Sequence, residues 1–468
     1  MERFFLSLVL GLFARPAAPV PAVAPAPPKP VVSAPAAAAQ VPGAPAVEQF
    51  TKPPVAMEAA SAARKGARQD TEKDEGGKIR HRFVFADGTA VEFEDRPKRP
   101  RDQAKRERVV FFTGTESAAR EPDASFEAAG RASGLAPGAV SALRFISRHE
   151  GGFDAINTWD RARFSWGFIQ FAGGYGLRPV LAHFKSARPE LFQKLLADYG
   201  VDVLPDEKGN PEPVFLDTAT GKRLRGDDAE QAFGDNPLVI ALFIRAGRVP
   251  EVKQVQLEAA IREYAAPALA ATYESVKLSD VLRSPQGQAM LIDRKVQEGN
   301  VIRLEWALEH ARIVNNKPNP ADWPALEGQV LDLALQDADA RSHIAVLAET
   351  AVAGLERAAA AAQNGQAQLV PDGPSLSGAR AAIQQAIAEA DYRMVVSYRR
   401  DMVRGDLGAA LAATEPLQMQ GCSPDTMGTR VAAAAAKVRE IAERFRFEAN
   451  IRDRLRNIRN SDLAGPRR

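Results

Sequence analysis

At 468 residues the chain is long enough for two or three domains, each with its own core. Its 61 basic and 59 acidic residues leave a formal charge of +2, which gives no argument for a nucleic-acid partner, and none is expected. The single cysteine, Cys422, excludes an intramolecular disulfide framework and a multi-cysteine metal site.

In chain order, Arg3 precedes a ten-residue, largely apolar run from Phe4 to Phe13, followed by small residues and prolines. Residues 1–15 therefore have the form of an export signal, too short for the roughly 20 apolar residues of a spanning helix. The expected location is exported, periplasmic or extracellular, with membrane anchoring at the N-terminus if the run is retained. A disordered apolar tail and cytoplasmic residence are the plain alternatives. Residues 16–77 are Ala/Pro-rich and then strongly charged, which predicts a disordered, semi-stiff linker.

Over residues 78–115 a small β element with a basic loop is expected. Apolar alternation around Asp87-Gly88, with Phe83 and Phe85 matched by Val91 and Phe93, predicts a hairpin. An isolated hairpin is marginal in water, so "RVVFFTG" at 108–114 is the candidate third strand. The loop between, "RPKRPRDQAKRER", has seven basic and two acidic residues and reads as a solvated loop, with contact to an anionic polymer or membrane as the sharper alternative.

The pattern then turns helical. Pro137 near a first turn and Gly151-Gly152 as a stop bracket a helix from Pro137 to Glu150. At 3.6 residues per turn Val140, Leu143 and Ile146 share a face, and Glu150 continues it, so a carboxylate is sent toward the core. Partial desolvation and the negative end of the helix dipole both raise its pKa, which suits a general acid. The plain alternative is a helix-end residue turned to solvent or paired with Arg148. Asp160 lies beyond a short irregular passage that could bring it across a cleft, and Asp154 competes for that place. Two carboxylates about 6.5–9.5 Å apart would suit an inverting hydrolysis and about 5 Å a retaining one. Trp159, Trp166 and Tyr175 could stack on sugar rings, although such aromatics are more often core. Asn157 and Gln170 could bond a hydroxyl or acetamido group, or simply cap loops.

Glu150-Gly-Gly followed by "INTWDRARFSWGFIQF" resembles the lysozyme-like superfamily, in which a helix-terminal Glu precedes a Ser-x-Gly-aliphatic-x-Gln segment, here Ser165 to Gln170. Lytic transglycosylases place a Gly and a Gln somewhat under twenty residues after the Glu; here Gly167 and Gln170 follow by 17 and 20. Phage-type lysozymes have an Asp and then a hydroxyl residue at spacings close to those of Asp160 and Ser165. The close match spans about 30 residues. Gly151 stands where transglycosylases commonly have Ser. The resemblance implies Glu150 as general acid, Asp160 as base or electrostatic stabiliser, Ser165 as a water-positioning hydroxyl and Gln170 as a hydrogen bonder. It implies peptidoglycan or a related amino-sugar polymer as substrate and no cofactor. A catalytically inactive glycan-binding or cell-envelope assembly module, and a purely helical scaffold, are the rival readings.

Other chemistry finds little footing. Phe153 occupies the position where an H-E-x-x-H zinc helix needs its second His, and the five histidines are scattered, so no metal site is expected. There is no phosphate loop and no Gly-x-Ser-x-Gly element. Further helices follow around "NPLVIALFIRAG", in a stretch with a bend expected near Pro267, and over Asp293, Arg294, Glu305 and Glu309, which could border the same cleft or form surface ion pairs. After "NNKPNPADWP" come long Ala-rich helices. The expected fold class is mainly α: a lysozyme-like α+β catalytic domain over 118–312 with a small N-terminal β-hairpin, and a separate C-terminal helical region over 321–460 for tethering, oligomerising or binding an unidentified protein partner.

Overall fold

The alternation around Asp87-Gly88 does fold into a hairpin. In the computed structural model, which describes residues 67–100, 102–116, 137–217, 220–366, 373–395, 397–415 and 422–461 with Ala128 and Leu463, strands β2 (Ile79–Val84) and β3 (Ala90–Pro97) pair antiparallel with Phe83 opposite Val91. Gly88 takes a φ of 82°, and the Asp87 carboxylate accepts the Thr89 N–H, so this turn needs both residues. Phe83, Phe85, Val91 and Phe93 are buried. The expected third strand, β4 (Arg108–Phe112), pairs with β3. The export-signal expectation lies outside the described residues, as does most of the linker.

Two expectations for this region need correction. Arg68–Lys73, placed in the disordered linker, forms β1 against β2; its side chains are all exposed, so backbone pairing holds it and no apolar signal marks it in the sequence. The basic loop is not simply solvated. Asp102 is buried against Arg96 and the Arg99 N–H, and buried Arg106 donates to the carbonyls of Arg163 and Gln231.

The helix α1 spans Pro137–Glu150. After it the chain returns to the sheet through three two-residue strands, β5 (Ile156–Asn157), β6 (Ser165–Trp166) and β7 (Phe171–Ala172). β5 pairs with β4, so the sheet has seven antiparallel strands in sequence order. Next come α2 (Leu177–Ala187), α3 (Pro189–Leu195) and a three-stranded antiparallel sheet of β8 (Val201–Pro205), β9 (Pro211–Asp217) and β10 (Lys222–Arg225). Helices α4 (Gly226–Asp235), α5 (Pro237–Gly247) and α6 (Pro250–Ala260) follow. Where a bend is expected near Pro267, a π-turn covers Ile261–Ala265, and Pro267 lies in the first turn of α7 (Ala266–Ala270).

A short ribbon of β11 (Thr272–Tyr273) and β12 (Val276–Lys277) leads to α8 (Leu278–Val281), α9 (Pro285–Glu298) and α10 (Ile302–Val314). Ser284 caps α9 by accepting from Gly287, and Gly299 ends it with a φ of 71°. The C-terminal helices are α11 (Glu327–Ala361), α12 (Pro374–Arg393), α13 (Ser397–Ala413), α14 (Pro424–Phe445) and α15 (Glu448–Arg459). At 35 residues α11 is about 50 Å long. Its far half joins α12, α13 and α14 in an Ala-rich core around Leu355, Ile383, Leu407, Val431 and Ile441.

The region expected to be separate is not. Trp323, Leu326, Val330 and Leu331, with Leu455 and Ile458 of α15, belong to the same hydrophobic core as Leu143, Trp166 and Phe243. A buried ionic cluster reinforces the join: Arg303 of α10 donates to Glu298 of α9 at 2.8 Å, to Asp337 of α11 at 3.0 Å and to Glu448 of α15 at 3.0 Å. Among the described residues no helix is long and apolar enough to cross a membrane.

Candidate functional site

Glu150 is where the periodicity put it. Val140, Leu143 and Ile146 are buried on one face of α1, and the Glu150 side chain at its end is 14% exposed. Gly151 then adopts a φ of 135°, and a Cβ there would stand 2.8 Å from the Ala155 Cβ and 2.9 Å from the Thr113 carbonyl. The following Gly152 N–H bonds that same carbonyl at 2.8 Å. The glycine pair thus turns the chain from helix into the sheet, and it fixes the carboxylate at the corner.

Two groups act on Glu150 that lie far from it in sequence. Gln297 of α9 donates to its Oε1 at 2.7 Å, and Arg454 of α15 donates to the same oxygen. Arg454 also donates through Nε and Nη2 to Oδ1 of Asp293, whose Oδ2 takes a bond from Arg294. Asp293, Arg294 and Arg454 are all buried. Burial lifts the Glu150 carboxyl above its ordinary value, with the Arg454 cation opposing and the Asp293 anion assisting. Asp293 moves the other way: against its burial, the two guanidiniums hold it below the usual carboxylate range.

The remaining predicted residues divide. Asp154 is a structural group: fully buried, it accepts from the N–H and hydroxyl of Thr115, the N–H of Glu116 and Nε of Arg248, holding Thr115 and Glu116 in place. Asp160 sits in the turn after β5, taking bonds from Asn157 Nδ2 at 3.0 Å and the Ala162 N–H at 2.9 Å. Burial raises its carboxyl, while those bonds and the Arg106 cation oppose the rise. Asn157 also accepts the Trp159 N–H, so it organises this turn. The cations that bear on Glu150 and Asp160 are therefore different ones.

Ser165 is buried on β6. Trp166 is fully buried, its indole N–H donating to the Phe243 carbonyl at 3.0 Å, and offers no face to a ligand. Gln170, at a φ of 53°, closes the β6–β7 turn by donating to the Gly167 carbonyl at 3.0 Å. Tyr175 is 82% exposed on the glycine-rich turn. That turn is less free than its composition suggests, because Glu230 accepts from the Gly174 N–H and the Tyr264 hydroxyl lies where a Gly176 Cβ would stand. Trp159 does line a cleft of about 640 Å³, with Phe111, Phe447, Arg96, Asp102, Glu349 and Arg446. Phe447 immediately precedes α15, seven residues before Arg454, so the cleft's C-terminal wall and the Glu150 contact are about 10 Å apart along one helix.

Among the described residues no cluster of three His, Cys, Asp or Glu side chains is arranged to hold a metal ion. Sequence reasoning missed Arg454 and Gln297 altogether and gave Asp293 only as a residue that could border the cleft. No family model matches the chain, and neither a curated protein nor a solved structure matches it.

Proposed function

We propose that the protein cleaves β-1,4-linked amino-sugar chains, with peptidoglycan as the substrate and chitin-type or chitosan-type chains as the alternative. Glu150 protonates the glycosidic oxygen as general acid, and Asp160 serves as base or electrostatic stabiliser. Trp159 provides a stacking face in the cleft it lines, with Phe111 and Phe447 beside it. The observation that carries this reading is the Glu150 carboxyl: it ends an otherwise apolar helix face, turns on a glycine pair that leads into β5, and is lifted by burial in the direction an acid needs.

Mass spectrometry of purified peptidoglycan digested with the full chain tests the proposal. Reducing-end muropeptides from the wild type, lost in Asp160→Asn, support hydrolysis with Asp160 as base. Anhydro-muropeptides that persist in Asp160→Asn support a lytic transglycosylase and remove that role. One observation favours the rival, a glycan-binding module without chemistry: Arg454 occupies Glu150 Oε1 and favours the anion. Saturable glycan binding with no released product, from folded protein, would establish the rival.

A further inference from the structure

The contact that favours the rival also contains its own answer, in the way the hydrogen bonds divide between two carboxylates. Arg454 and Gln297 both donate to Oε1 of Glu150, and these are its side-chain bonds among those described. Oε2 is thereby left as the oxygen that can carry a proton, on a side chain that retains some exposure. Asp293 has no such latitude. It is 1% exposed, Arg454 bonds one of its oxygens twice, and Arg294 bonds the other.

From this geometry we infer that Glu150, Arg454 and Asp293 form one working unit, in which Arg454 and Asp293 are positioning residues that assign the labile proton to Glu150. The inference rests on the reading of Glu150 as the reacting acid. It makes α15 part of the site and not an accessory. Charge decides between them: the Arg454 guanidinium faces both carboxylates, whereas Asp293 alone of the two also has Arg294, which it shares with Glu298. A proton entering the cluster neutralises the carboxylate with the lesser claim on positive charge, which is Glu150. Arg454 then stays paired with Asp293, so protonation of Glu150 does not orphan a buried cation.

The arm that brings Arg454 is rigid. Glu448 at the start of α15 accepts from Arg303, while Leu455 and Ile458 are buried in the main core. Charged groups reach Glu150 from each element packed on it: Arg454 from α15, and Asp293 from α9 backed by Arg294 and Glu298, with Arg148 of its own helix exposed.

The test needs no substrate. In full-length protein carrying ¹³C-labelled glutamate, the side-chain carboxyl signal absent from Glu150→Gln is Glu150, and its titration midpoint is followed by NMR. Removing the cation in Arg454→Met is expected to move the midpoint to higher pH, and removing the anion in Asp293→Asn to lower pH. Arg454→Lys, which keeps the charge, should hold the midpoint near the wild type, and the Asp293→Asn shift alone decides where Arg454→Met does not fold. Midpoints that move in the same direction in Arg454→Met and Asp293→Asn, or an Asp293→Asn midpoint that stays in place, overturn the inference. Opposite shifts in a protein that releases no product from peptidoglycan, chitin or chitosan chains would leave the unit standing and reject the glycosidase. Muropeptide release with unmoved midpoints would do the reverse.

Discussion

Replacing Arg303 by Met should be among the most damaging single changes outside the apolar core. Arg303 is 5% exposed and donates to Glu298 at 2.8 Å, Asp337 at 3.0 Å and Glu448 at 3.0 and 3.1 Å, joining α9, α10, α11 and α15. Without it, Glu448 keeps a single cation, Arg341, at 3.6 Å, and Asp337 keeps Arg341 at 2.6 Å. Three carboxylates would then share the charge that remains in a water-poor site. Removing one partner from such a buried cluster costs about 3–5 kcal/mol. With a urea dependence of roughly 2–3 kcal/mol per molar, the unfolding midpoint should fall by ~1–2 M. Arg459→Ala is the control, since its pair with Asp332 is exposed and worth about 0–1 kcal/mol. Urea titration followed by tryptophan fluorescence and circular dichroism reads both variants. If Arg303→Met unfolds within about 0.5 M of the wild type, the buried cluster does not hold the C-terminal helices to the rest.

Other consequences can be checked with the same equipment. Because burial raises the Glu150 carboxyl in the folded protein above its unfolded value of 4.5, its ionised form opposes folding increasingly as pH rises past that point; Glu150→Gln should therefore be at least as stable as the wild type at pH 7, and a clear loss of stability would contradict this. Trp166→Phe removes the bond to the Phe243 carbonyl and should destabilise by about 1–3 kcal/mol while leaving oligosaccharide affinity intact in the folded fraction, whereas Trp159→Ala should weaken affinity with little effect on the urea midpoint. Asp87 shows the opposite pH behaviour to Glu150. Against a burial that would raise it, bonds from Thr89 and Arg245 lower its carboxyl to about 2. Its stabilisation is thus full above 3.8 and lost as pH falls toward 2, so Asp87→Asn should lose stability at pH 6 and flatten the dependence in that acid window.

How much of this was legible in the sequence depended on distance along the chain. The hairpin and α1 were readable because their determinants are local: an Asp-Gly turn between alternating residues, a proline at a first turn, a glycine pair at a stop. Glu150 could be aimed at the core from a spacing of four residues. β1 was invisible because its side chains bury nothing. The sheet of β8, β9 and β10 was missed because its strands are short, carry Pro205, Pro211 and Pro213, and are only partly buried. Trp166 and Trp159 look alike in sequence, and only the packing of α5 shows that one is core and the other lines a cleft. Arg454 was out of reach. It is one of four arginines on α15, which reads as a solvated helix, and its partner is 304 residues away. What turns it inward is its neighbour Leu455 and the next turn's Ile458, whose burial sets the face.

The integration of α15 also decides what material to use, because a fragment ending near residue 315 would remove Arg454 and open the core at Leu455. The most direct measurement is therefore on full-length protein: wild type and Glu150→Gln, each shown to be folded, incubated with purified peptidoglycan and the soluble products identified by mass spectrometry. Muropeptides are expected from the wild type and none from Glu150→Gln. Equal release by the two, or no release by the wild type from peptidoglycan, chitin or chitosan chains, would contradict it.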